Sequence, residues 1–109
     1  MAWLVRDGEV LATLEVAEST GARMRGLLGR DGIDGALLLQ PAKSVHTLGM
    51  RFPIDVAFVD REFIVVRTLS MRPWRVGRMV MKAHAVIEAE AGTFARWDLK
   101  PGDQVEVKG

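Results

Sequence analysis

Ser44–Asp60, SVHTLGMRFPIDVAFVD, sets His46, Thr47, Arg51 and Asp55 inside an otherwise apolar run, and its reading decides the fold. Ile54–Val59 reads as a strand, with Ile54, Val56 and Phe58 on one parity and Asp55, Ala57 and Val59 on the other. Asp55 is thereby placed among small apolar neighbours, where a carboxyl without a donor costs roughly 1–3 kcal/mol or more. Ser44–Met50 reads as a preceding strand, and Arg51-Phe52-Pro53 turns the chain between the two. Such a stretch is either a shared ligand site or the polar lock of the fold.

On the C-terminal side, Asp60-Arg61-Glu62 can turn the chain into Phe63–Met71, whose alternation makes a hairpin with Ile54–Val59. Arg72–Lys82, with Pro73 and Gly77, reads as a loop. Ala83–Ala91 is a further strand, with His84, Val86, Glu88 and Glu90 on one parity. A short helix or turn over Thr93–Leu99 is followed by the turn signal Lys100-Pro101-Gly102-Asp103 and a last strand through Val105 and Val107.

On the N-terminal side, Trp3–Arg6 and Val10–Val16 read as strands joined by an Asp7-Gly8 turn. In Ala17–Arg30, AESTGARMRGLLGR, Ser19-Thr20 offers an N-cap, while Met24, Leu27 and Leu28 fall at helical spacing. Gly21 and Gly26 each weaken that helix by roughly 1 kcal/mol relative to alanine, so packing must hold it. One of Arg23, Arg25 and Arg30 is expected to reach an acid across the domain. Ala36–Leu39 is a short apolar strand ending at Pro41.

About seven short strands with one helix predict a mainly β fold. The expectation is a β-sandwich or incomplete barrel, with one short helix in the N-terminal third and a short helical turn near the C-terminus. A doubly wound parallel sheet needs repeated helical crossovers, for which 109 residues leave no room. That length and 49% apolar content suit one domain over residues 1–109 with its own core. The absence of cysteine excludes disulfides and thiol chemistry. No run reaches the roughly 20 apolar residues of a membrane helix, and early acids Asp7 and Glu9 argue against a signal peptide, so a soluble cytoplasmic chain is expected. A net charge of +1 does not point to nucleic acid. Locally, however, Arg67, Arg72, Arg75, Arg78 and Lys82 lie between Phe63 and Ile87 with no acid.

Several segments together resemble the DUF192 family, also called UPF0127, a group of small domains without an assigned activity. They are Arg23-Met24-Arg25-Gly26-Leu27-Leu28, the block Thr47-Leu48-Gly49-Met50-Arg51-Phe52-Pro53-Ile54-Asp55-Val56-Ala57-Phe58, Val86–Gly92 with Glu88, and Gly102-Asp103. The resemblance spans almost the whole chain and implies a predominantly β domain. Leu48-Gly49-Met50-Arg51 stands where many members have Trp-Met-Lys-Asn, so no role of that tryptophan or asparagine carries over.

Two candidate sites emerge. One is a polar pocket drawing on Arg23 or Arg25, His46, Thr47, Asp55 and Glu88, for which the plainer reading is a structural network fixing the helix to the sheet. The other is the basic loop Met71–Lys82, where Trp74 and Arg75 stand among Arg72, Arg78 and Lys82; here the plainer reading is a solvated surface with Trp74 covering the end of the core. The ligand-binding candidates are therefore Arg25, His46, Thr47, Asp55, Trp74, Arg75 and Glu88. The leading function is a binding or accessory domain for a small anion or an acidic protein segment, acting as a monomer or weak homodimer. Nucleic acid and membrane surfaces rank below these partners. The alternative is a small hydrolase or acid-base enzyme using His46 and Asp55, although no G-x-S-x-G elbow accompanies Ser44 or Thr47. His46, His84, Asp55 and Glu88 lack any His-x-His or HExxH spacing, so no metal site is expected, and no cofactor is indicated.

Overall fold

The computed structural model describes residues 2–109. In chain order the elements are β1 (Ala2–Arg6), β2 (Glu9–Ala17), α1 (Thr20–Arg25), β3 (Ala36–Leu39), β4 (Ile54–Val59), β5 (Val65–Met71), β6 (Ala85–Glu90), α2 (Thr93–Trp97) and β7 (Glu106–Lys108). All seven strands belong to one mixed sheet in the order β5-β4-β6-β3-β2-β1-β7. Only β2 and β3 pair in parallel, and α1 lies in their crossover.

The two edge strands meet at one end. Val65 N–H donates to the Asp103 carbonyl at 2.8 Å, Gly102 N–H to the Val65 carbonyl at 2.8 Å and Val105 N–H to the Phe63 carbonyl at 3.0 Å. Of the two architectures expected, this is the incomplete barrel: a single sheet whose edges join over a few residues. Its inner face carries a core cluster drawn from nearly every strand, including Leu4, Leu14, Leu38, Ala57, Val65 and Ile87. Phe94 of α2 belongs to that cluster. The outer face is covered by Leu27, Val45, Met50, Phe52, Met71 and Ala83, which pack on Leu37, Leu39, Val56, Phe58 and Val86. Strands β3 and β4 are buried along their whole length and β6 along all but Glu90, as expected for strands covered on both faces.

Local signals explain most boundaries. Asp7 (φ 52°) and Gly8 (φ 79°) make the two-residue hairpin whose positive torsions suit an Asp-Gly pair. Ser19 caps α1 by accepting the Ala22 N–H at 3.1 Å. The helix then stops at Gly26 (φ 48°), so it covers Thr20–Arg25 rather than the whole Ala17–Arg30 segment, and single turns carry the chain to Arg30. Arg30 is the arginine that reaches an acid: its guanidinium meets both carboxylate oxygens of Glu15 at 3.0 and 2.8 Å, and that hydrogen bonding lowers the Glu15 pKa.

Ser44–Met50 departs from expectation. Val45, Thr47 and Met50 are buried, whereas Ser44, His46 and Leu48 are exposed, so the period of two is real over most of the segment. The backbone nevertheless pairs with the irregular loop 72–80 rather than with the sheet, and only the His46–Val76 bridge forms. A strand pattern without a strand partner remains a loop.

Candidate binding cavity beneath the first helix

Register decides which polar residues can meet. Across β4 and β6, Val56 faces Glu88 and Asp55 faces Ala89. Val56 belongs to the outer-face cluster and Ala89 to the inner one, so Glu88 points outward and Asp55 inward. The single pocket expected from Arg25, His46, Thr47, Asp55 and Glu88 is therefore divided by the thickness of the sheet.

Asp55 is a structural carboxylate. One oxygen accepts from Ser70 Oγ at 2.7 Å, and the other accepts the N–H groups of Gly92 and Phe94, each at 3.0 Å. Gly92 is the N-cap of α2 and has no capping side chain of its own, so Asp55 supplies the missing acceptor from β4. His46 lines a different cavity, so the acid-base pairing of His46 with Asp55 has no common cleft.

Thr47 is also committed internally. It is fully buried, its Oγ1 donates toward the Arg72 carbonyl at 2.5 Å, and the same oxygen accepts the Arg75 N–H at 2.9 Å. Thr47 N–H donates to the Arg75 carbonyl at 2.7 Å, and Trp74 N–H to the Thr47 carbonyl at 2.8 Å. Thr47 fastens the basic loop.

Glu88 has no such partners among the described residues. It is only 4% exposed on the interior strand β6, and burial pushes its carboxyl up to about 7, with no neighbouring charge or hydrogen bond offsetting that cost. It lines a cavity of about 60 Å³ together with Arg23, Arg25, Gly26, Leu39, His46 and Met50. No polar side-chain atom among the described residues is sealed from solvent without a partner, so the Glu88 carboxyl opens into this cavity. Gly26 lies beside the carboxyl: a β-carbon there would be in ordinary contact, 3.8 Å from Glu88 Oε1.

The rim supplies donors. Leu48 N–H donates to His46 Nδ1 at 3.3 Å, which leaves Nε2 as the ring nitrogen able to donate. The Arg23 guanidinium is partly used on the Glu18 carbonyl, while Arg25 is exposed and makes no ion pair among the described residues. Arg25, His46 and Glu88 are thus brought together, whereas Thr47, Asp55, Trp74 and Arg75 lie elsewhere. Trp74 is 66% exposed and does not cover the core. His84 lies at a third location with Lys43, Asp60 and Glu62, and the described residues contain no group of three or more metal-binding side chains.

The family model DUF192, described as "Uncharacterized ACR", matches residues 2–107. A UPF0127 protein of Pyrococcus abyssi is 30% identical over 98 residues, 85% of this chain and 84% of that protein. A UPF0127 protein of Pyrococcus horikoshii is 29% identical over 107 residues, 92% of this chain and 88% of the relative. Two crystal structures share the fold. A protein of unknown function from Novosphingobium aromaticivorans has a TM-score of 0.82 and 21% identity, covering 96% of this chain and 82% of the other. A protein from Sinorhizobium meliloti, described as a candidate transcription regulator, has a TM-score of 0.83 and 20% identity, covering 97% and 91%. At those identities the likeness speaks for the fold alone.

Proposed function

This chain belongs to the DUF192 family, and from that premise and the cavity beneath α1 we propose that it is a binding domain that captures a carboxylate group. The observation that carries this reading is Glu88, buried on an interior strand without a hydrogen-bond partner among the described residues and open to a cavity rimmed by cationic and hydrogen-donating side chains. Raised to about 7, its carboxyl is protonated over much of the near-neutral range and can donate O–H to an anion. Arg25 supplies the counter-charge and His46 Nε2–H a directional bond. A volume of about 60 Å³ accepts one carboxylate-sized group but not a whole cofactor, which normally needs about 300 Å³ or more.

The carboxylate can come from a free small acid or from a protein segment, and one experiment separates them. Backbone amide NMR is followed during titration with succinate and, in parallel, with a glutamate-containing tetrapeptide blocked at its C-terminus. Shifts centred on Gly26, His46 and Glu88, reduced by Arg25→Ala, are expected with at least one probe. A response to succinate alone assigns a small-molecule site, and a stronger response to the peptide assigns a segment-binding site. No shift at these residues with either probe at tens of millimolar overturns the reading.

A further inference from the structure

The two segments that cover the outer face of the sheet, 40–53 and 71–83, contain no acidic residue, yet they carry Lys43, Arg51, Arg72, Arg75, Arg78 and Lys82. The second also exposes large apolar side chains: Trp74 is 66% exposed, Val76 73%, Met79 61% and Met81 71%. Trp74, Val76 and Met79 stand out from the surface, while Met81 lines an open pocket with Lys43, Asp60 and His84. From this arrangement we infer that loop 71–82 is a docking surface for an anionic lipid interface, a site separate from the Glu88 cavity.

The loop is held ready for that role. Thr47 binds Arg72, Trp74 and Arg75, Gly77 N–H donates to the Val45 carbonyl at 2.9 Å, and Val80 N–H donates to the Lys43 carbonyl at 2.8 Å. Backbone groups are thereby satisfied along one side of the loop while its apolar side chains project. Gly77 permits the close approach, since a β-carbon there would sit 2.7 Å from the Val45 oxygen. An ordered loop loses little conformational freedom when its tip enters an interface.

Charge and shape favour lipid over an acidic protein segment. Apolar side chains interleaved with cations match the boundary between acyl chains and anionic headgroups, where tryptophan and methionine insert and arginine stems reach back to phosphate. A protein partner would have to supply the concavity that these projecting side chains lack. Of the acids beside these segments, Asp31 pairs with Arg51 at 3.0 Å, and Asp60 and Glu62 line a pocket with Met81 and Lys82, so the contact centres on Trp74–Met79.

The test is co-sedimentation with vesicles of phosphatidylcholine alone and of phosphatidylcholine with one quarter phosphatidylglycerol. Binding to the anionic vesicles alone, weakening as salt rises, is expected. Arg75→Glu with Arg78→Glu should lower partitioning roughly 25-fold or more, since each basic side chain near such a surface contributes about fivefold. Trp74→Ser with Met79→Ser leaves the charge unchanged and should also weaken binding. All four positions are exposed, and an unchanged backbone NMR spectrum outside the loop verifies folding. Absence of binding to the anionic vesicles, or binding indifferent to either pair of substitutions, overturns the inference. Loop-dependent binding of a glutamate-rich peptide in place of vesicles would overturn it in favour of a protein partner.

Discussion

Asp55 and Glu88 sit on neighbouring strands, one register position apart, and point to opposite faces of the sheet. Both are buried acids, 5% and 4% exposed, but their surroundings differ completely. Asp55 has three donors and closes the start of α2, whereas Glu88 has none among the described residues and faces a cavity. The first carboxylate contributes to folding, and the second is held there at the expense of stability.

Glu88 should make the protein less stable as pH rises. Its folded pKa, about 7, lies above the ordinary value of 4.5, so the folded state holds the proton more tightly than the unfolded chain. Stability falls where the folded state binds more protons, here from roughly pH 4.5 to 7, by on the order of 3 kcal/mol in total. Glu88→Gln should remove this contribution, raising the melting temperature at pH 8 far more than at pH 4.5. Equal gains at both pH values would contradict a charged, desolvated Glu88.

Removal of the Asp55 carboxylate should be strongly destabilising. Asp55→Ala strands Gly92 N–H, Phe94 N–H and Ser70 Oγ, at a cost of about 2–4 kcal/mol. Asp55→Asn retains an acceptor and should lose less. Chemical denaturation measures both, and a loss below about 1 kcal/mol for the alanine variant would show that α2 does not depend on this cap.

Thr47→Val keeps the shape of the side chain and removes its hydrogen bonds to Arg72 and Arg75. A loss of about 1–3 kcal/mol is expected. Amide exchange should accelerate at Trp74, Arg75 and Gly77 while β4 and β6 stay protected. Uniform acceleration throughout the sheet would instead make Thr47 a determinant of the whole fold.

Carboxylate binding at the cavity should weaken between pH 6 and 8 as Glu88 loses its donor proton. Glu88→Gln carries an amide donor at all pH values, so its affinity should persist at pH 8. Titration with the NMR-active probe reads this directly. Equal weakening in the wild type and the glutamine variant would assign the pH dependence to another group.

Much of this architecture was legible along the chain. Ala36–Leu39 and Ile54–Val59 are strands over the bounds read from their apolar runs, and Asp7-Gly8 makes the turn its residues favour. Glu88 and Arg25 were singled out along the chain, one as an acid on a buried strand and the other within the Arg-x-x-Gly segment, and both line one cavity. The same parity rule that placed Asp55 and Glu88 correctly on their own strands could not show that they diverge. Parity is a property of one strand, and facing is a property of two strands in register.

Composition, periodicity and turn chemistry by themselves determined a mainly β domain with one capped helix, because these signals act over a few neighbouring residues. Tertiary structure alone decided that the edges of the sheet meet at Val65 and Asp103, and that Ser44–Met50 partners a loop. It also decided that Asp55 is satisfied by a helix 37 residues away while Glu88 is left open beneath Gly26. Those outcomes rest on long-range register and packing, where shifting a strand by one residue reverses every side chain and no local pattern records the shift.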